Sequence, residues 1–124
     1  NCDEIQKIIT SVSEIEEIYL ITRPDEEYKL TEEDVQKLSF LLTKVELDDI
    51  SESSEEEESY FGIVNEMFRI VYRNGTQIKF SACYPFYIIN SIWYDSGEYP
   101  TCYSISHLHS YLLPKYVPCY QAWY

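Results

Sequence analysis

This chain is poor in glycine, poor in bases and free of long apolar runs, and each shortage removes a class of function. Three glycines in 124 residues cannot supply a phosphate-binding loop, a dinucleotide fingerprint or a nucleophile elbow. Those motifs need closely spaced glycines so that backbone can turn sharply or approach a ligand. Nine Lys and Arg stand against 22 Asp and Glu, a net charge of −13. Such a chain is repelled by nucleic-acid backbones and by anionic membrane surfaces, so neither is expected as a partner. No apolar stretch approaches the roughly 20 residues that a membrane-spanning helix requires, and no transmembrane segment is expected. No basic start leads into an apolar stretch, so no signal peptide is read in these residues. Four cysteines, Cys2, Cys83, Cys102 and Cys119, are too few for a disulfide scaffold.

The length is that of one ordinary domain, and 45% hydrophobic residues suffice for a core. The composition divides at about the middle of the chain. Nineteen of the acids and five of the bases lie in residues 1–58, giving that half −14, while the rest sums to +1. Eleven of the 13 tyrosines and both tryptophans lie in the second half.

Hydrophobic spacing places a short helix over 3–12 on Ile5, Ile8, Ile9 and Val12. Ile15 to Thr22 reads as a strand that ends before Arg23-Pro24, and Tyr28-Lys29-Leu30 as a short returning one. Thr31-Glu32-Glu33-Asp34 is a helix start, with a capping hydroxyl and three acids at the positive end of the dipole. The stripe Val35, Leu38, Leu41, Leu42 and Val45 carries that helix over about 32–45. Residues 46–59 hold eight acids, four serines and no base, which predicts a mobile, exposed loop because like charges so dense resist packing. A calcium site is the functional alternative there, but the EF-hand spacing and its central glycine are missing.

The second half reads as hairpins. Phe68, Ile70 and Tyr72 alternate with Arg69, Val71 and Arg73, and after Asn74-Gly75, Thr76, Ile78 and Phe80 alternate with Gln77, Lys79 and Ser81. A two-residue Asn-Gly loop would mix polar and apolar groups on each side. A three-residue loop, Arg73-Asn74-Gly75, pairs Tyr72 with Thr76, Ile70 with Ile78 and Phe68 with Phe80, and gathers the large apolar groups on one face. That loop needs Gly75 in the left-handed conformation. A second hairpin turns at Asn90-Ser91 and pairs Ile89 with Ile92 and Tyr87 with Tyr94, leaving Phe86, Ile88 and Trp93 on the other side. Both faces of that ribbon are apolar, so either both are covered or one binds. Ser104 resembles a cap for a last helix over about 104–113, stopped by Pro114. The apolar tail 115–124 is expected to pack back. The whole is one α+β domain spanning 1–124: an antiparallel meander of about four to six strands packed by the central helix and the C-terminal helix.

Few constellations could carry chemistry. Cys102, His107, His109 and Cys119 include soft metal ligands, but positions 107 and 109 diverge by about 160° on a helix and could not grip one ion. Cys102 with His107 could be imagined as nucleophile and base. Asn74-Gly75-Thr76 fits the glycosylation pattern and is also fully explained as a hairpin turn. No cofactor is expected. Of the three possible cysteine pairings, Cys102 with Cys119 is favoured, closing the C-terminal segment with a gain of roughly 3 kcal/mol. The rival is buried free thiols.

The aromatic half is the stronger lead. Tyrosine offers a large contact area at little ordering entropy. Tyr84, Tyr87, Trp93, Tyr94, Tyr99 and Tyr103 cluster around the second hairpin, and those not used in packing are expected to form a recognition patch for a peptide, glycan or protein. An acidic inhibitor or nucleic-acid mimic that blocks a basic partner is the alternative. A small hydrolase would need a nucleophile and base in contact.

The run Phe68-Arg-Ile-Val-Tyr-Arg-Asn-Gly-Thr-Gln-Ile-Lys-Phe80, followed by Ile88-Ile-Asn-Ser-Ile-Trp-Tyr94, resembles small cell-envelope domains of bacteria, often lipoprotein-like. In those a strand, a helix and a meander ending in Asn-x-x-Trp-Tyr precede a closing helix. The likeness covers 15–113 in order of elements and leaves out the acidic insert and the cysteine-bearing tail. It implies an extracytoplasmic address, secreted or envelope-attached, and brings no activity with it. Cys2 is similar to a lipid-anchored cysteine, although Asn1 precedes it.

Overall fold

The computed structural model describes residues 2–23, 26–50 and 66–118. Most of the expected acidic loop, the turn at Pro24-Asp25 and the end of the tail with Cys119 lie outside them. Helix α1 (Cys2–Thr10) leads through a short 3-10 turn into strand β1 (Ile15–Arg23). Then come β2 (Glu26–Lys29), α2 (Glu32–Leu42), β3 (Leu47–Ile50), β4 (Phe68–Tyr72), β5 (Gln77–Cys83), β6 (Phe86–Ile89), β7 (Ile92–Ser96) and α3 (Tyr99–Tyr116). The strands form one seven-stranded sheet in the order β2-β1-β4-β5-β6-β7-β3, and every pairing is antiparallel. This is the expected α+β architecture with more strands than the pattern suggested.

The hairpin registers follow from side-chain sorting. Phe68 pairs with Phe80 and Ile70 with Ile78. The Tyr72 N–H donates to the Thr76 carbonyl across the loop at 2.9 Å, and Gly75 adopts φ +92°. With Ile18 and Leu20 of β1, these residues present one apolar face. The β6–β7 hairpin pairs Ile89 with Ile92 and Tyr87 with Tyr94, and its turn puts both Asn90 and Ser91 at positive φ. That backbone twist suits a two-residue hairpin loop.

All three helices pack on that face. Ile9 of α1, Leu38 and Leu42 of α2, and Cys102, Ile105 and Leu112 of α3 meet Ile70, Ile78, Phe80, Tyr87 and Ile89 in one continuous core. The opposite face divides by charge. Over β1, β2 and β4, Arg69 forks onto both carboxylate oxygens of Glu27 at 2.9 and 2.7 Å and lies over the Tyr19 ring, while Lys29 pairs with Glu17 at 2.7 Å. Two acids of the acidic half are thereby neutralised on rigid strands. Over β6 and β7 the same face is apolar, and Phe86, Ile88 and Trp93 form a second buried cluster. Both sides of the second hairpin are therefore buried.

Three expectations are corrected. Leu47–Ile50, inside the segment read as a loop, is an edge strand on β7. Composition pointed the other way, but tertiary clamps decide: the Gln6 side chain donates to the Val45 carbonyl at 2.6 Å and accepts from the Leu47 N–H at 2.7 Å, and Gly97 donates to the Glu46 carbonyl at 2.9 Å. Helix α2 ends at Leu42 rather than 45, with Thr43 as its C-cap. The last helix begins five residues before Ser104. Its N-cap is Glu98, whose carboxylate accepts from the Thr101 N–H at 2.7 Å, with Pro100 in the first turn. It also runs through Pro114 to Tyr116, since a proline so near the C-terminus disturbs few helical bonds.

Candidate binding site

The early start of α3 creates the site. Four-residue steps from Tyr99 through Tyr103 and His107 to Tyr111 fall on one helical face, each rising about 6 Å along the axis. The buried stripe of the same helix, Thr101, Cys102, Ile105 and Leu112, faces the core. Tyr99, Tyr103 and Tyr111 are thus left 45–57% exposed. Tyr84, in the turn between β5 and β6 beside cis Pro85, reaches the head of this row. Its ring meets Tyr99 edge-on at 4.8 Å. Tyr99 meets Tyr103 at 5.5 Å, and Tyr103 stacks nearly parallel on His107 at 6.0 Å.

The rings bound an open, shallow cleft of about 360 Å³ lined by Tyr84, Tyr99, Tyr103, Ser106, His107 and Ser110. Among the described residues no acid, Lys or Arg lines it. Further along the stripe, the Lys37 ammonium of α2 lies 5.8 Å from the Tyr111 ring centre.

The six sequence-predicted binding residues therefore separate into two groups. Tyr84, Tyr99 and Tyr103 come together, exposed and in ring contact. Tyr87, Trp93 and Tyr94 belong to the interior and cannot offer a surface. Tyr87 is fully buried and its hydroxyl donates to Glu98 at 2.6 Å, so one residue anchors the helix cap that the cleft depends on. Burial, and next that hydrogen bond, push the Tyr87 hydroxyl far above its ordinary pKa. Ser106, His107, Ser110 and Tyr111 were missed. Their signal is the four-residue spacing, invisible while the helix was taken to begin at Ser104.

The groups considered for chemistry are kept apart. Cys102 is buried in the core, its thiol lies 3.5 Å from the Phe86 carbonyl, and burial leads the effects that push its pKa up to about 12. His107 lies on the exposed face of the same helix, so the two cannot act as nucleophile and base. His109 turns inward against Phe68, ring centres 5.5 Å apart, and burial lowers its pKa to about 4. Among the described residues no group of three or more His, Cys, Asp or Glu is placed to hold a metal. Cys2, Cys83 and Cys102 carry free thiols. The favoured partner of Cys102, Cys119, lies outside the described residues.

One buried carboxylate ties α2 to α3, the helix that carries the stripe. Asp34 of α2 has no exposed surface. It accepts from Lys115 at 2.8 Å and from the Tyr116 hydroxyl at 2.5 Å, while that hydroxyl accepts from the Thr31 N–H at 2.8 Å. Burial raises the Asp34 pKa, but these partners outweigh it and hold the carboxyl below its ordinary range. Comparison with protein-family models, with curated proteins and with solved structures returns no match to this chain.

Proposed function

We propose that this chain is a binding module that engages its partner through the aromatic cleft of α3 and Tyr84. One observation carries the reading. Rings from two separate elements are brought into mutual contact while remaining about half exposed. Exposed aromatics grouped in this way suit recognition, because rigid rings lose little entropy on binding. The core does not need them: Ile105 and Leu112 of the same helix already fill it. The resemblance to envelope domains supports an extracytoplasmic site of action, where a peptide, glycan or protein would be met.

The test is a binding screen of the whole chain against displayed peptides and arrayed glycans, repeated with a Tyr99→Ala/Tyr103→Ala double variant. Both positions are exposed and helical, where alanine is well tolerated. The reading expects ligands whose binding the double variant abolishes. Finding no ligand, or only ligands indifferent to the two substitutions, would overturn it.

A further inference from the structure

We infer that the cleft takes a neutral oligosaccharide, an inference that rests on the cleft being the binding site. Three observations converge on this ligand.

The first is charge. In a chain of net charge −13, the described residues that line the cleft are aromatic, hydroxyl and imidazole, with neither an acid nor a Lys or Arg among them. A phosphorylated or carboxylated ligand would meet the repulsion of the whole molecule, with no Lys or Arg among the described lining residues to receive it. A strongly basic ligand would gain nothing at the cleft that the acidic half does not offer better.

The second is shape. The site is open and shallow, not an enclosed pocket, and its rings follow one another, at 4.8 Å from Tyr84 to Tyr99 and then at 5.5 and 6.0 Å along the helix. Such a row suits a chain of flat repeating units laid along it. One face of a pyranose ring is a patch of C–H groups, which packs on the face of a tyrosine and leaves the sugar hydroxyls at the rim.

The third is the polar inventory. Ser106, Ser110 and the tyrosine hydroxyls each donate and accept, and the His107 imidazole adds two ring nitrogens. Sugar hydroxyls also donate and accept, so the pairing needs no fixed direction. Proline-rich segments, which do dock on aromatic grooves, are covered by the peptide arm of the test; a strand-adding peptide asks for an open sheet edge, and a helical one for a long apolar groove. The cleft is built on a helix whose backbone groups are internally bonded, and it presents neither.

The test titrates the whole chain with soluble neutral oligosaccharides of several linkages, in short and longer members, following intrinsic tyrosine fluorescence and heat. A uronic-acid oligosaccharide and a peptide library run alongside. At least one neutral series is expected to bind, more tightly in its longer members and with little dependence on salt. Tyr99→Ala and Tyr103→Ala are each expected to weaken binding about tenfold, the scale of losing one well-packed aromatic contact. Phe40→Ala, an exposed ring outside the cleft, is expected to change nothing. Absence of binding by every neutral series, or binding that ignores both tyrosines, would overturn the inference. Peptide binding that depends on Tyr99 and Tyr103, with no glycan bound, would overturn it while leaving the binding-module reading intact. Loss of both arms would remove both.

Discussion

Replacing Asp34 with alanine removes a buried acceptor shared by Lys115 and Tyr116 across the seam between α2 and α3. Its carboxylate accepts from Tyr116 at 2.5 Å and from Lys115 at 2.8 Å, and it is wholly buried. Hydrogen bonds to a charged group contribute about 1.5–3 kcal/mol each when shielded. The Tyr116 contact belongs to that class. Lys115 is 40% exposed, so its pairing is screened by solvent and adds much less than the Tyr116 contact. Against these stands the desolvation of a carboxylate whose second oxygen, Oδ1, has no hydrogen-bond partner and only Lys37 at 3.9 Å. The net expectation for Asp34→Ala is a loss of about 2 kcal/mol at neutral pH. Urea unfolding of the wild type, Asp34→Ala, Tyr116→Phe and the double variant closes a cycle, with a coupling of roughly 1–2 kcal/mol expected. The pH dependence has a definite sign. The folded carboxyl titrates below its ordinary value of 3.8, so its contribution is full above that value and disappears as pH falls through the folded one. A stability change under about 0.5 kcal/mol, or a coupling of zero, would refute the idea that this carboxylate locks the helices.

Other perturbations read other parts of the structure. His109 is held neutral by burial, with its pKa lowered from 6.5 to about 4; the unfolded chain takes up the proton first, so stability is full above pH 6.5 and falls as pH drops toward 4. That loss amounts to roughly 3 kcal/mol, and His109→Leu is expected to remove the slope between those values in acid-unfolding curves. Gln6→Ala frees both backbone groups that it clamps, costing about 1–3 kcal/mol. Hydrogen exchange should show protection at Leu47 falling selectively. Gly75→Ala places a side chain at φ +92° with no atom within 4 Å of the new Cβ; the cost is backbone strain alone, about 1 kcal/mol, read as a shift in melting temperature without a change in the sheet's spectrum.

Much of the fold was legible because its signals are local and periodic. The β4–β5 register followed from requiring Phe68, Ile70, Phe80 and Ile78 to share a face, and only a loop with Gly75 at positive φ satisfies that. The start of α2 was readable from Thr31 and the acids after it. The failures have a common cause in contacts distant along the chain. Composition made Leu47–Ile50 look like part of a loop, yet Gln6, 41 residues away, fixes it as a strand. Glutamate is not a favoured helix cap, but Glu98 is held in place by Tyr87 on another strand. That single misplaced cap hid the binding stripe. With α3 begun at Ser104, Tyr99 and Tyr103 were merely near neighbours of a hairpin; begun at Tyr99, they stand in line with His107 and Tyr111. Tyr87, Trp93 and Tyr94 entered the candidate patch for a separate reason: a ribbon apolar on both faces gives no hint from sequence of which rings are covered.

The central claim is that exposed rings on α3 and Tyr84 form one recognition surface, and the most direct measurement follows tyrosine ring resonances by NMR while a bound oligosaccharide or peptide is titrated in. The rings of Tyr84, Tyr99 and Tyr103 are expected to shift together with one dissociation constant, while Tyr87 and Tyr94 stay in place. Binding that leaves those three rings unmoved, or that moves the buried ones first, would contradict the account.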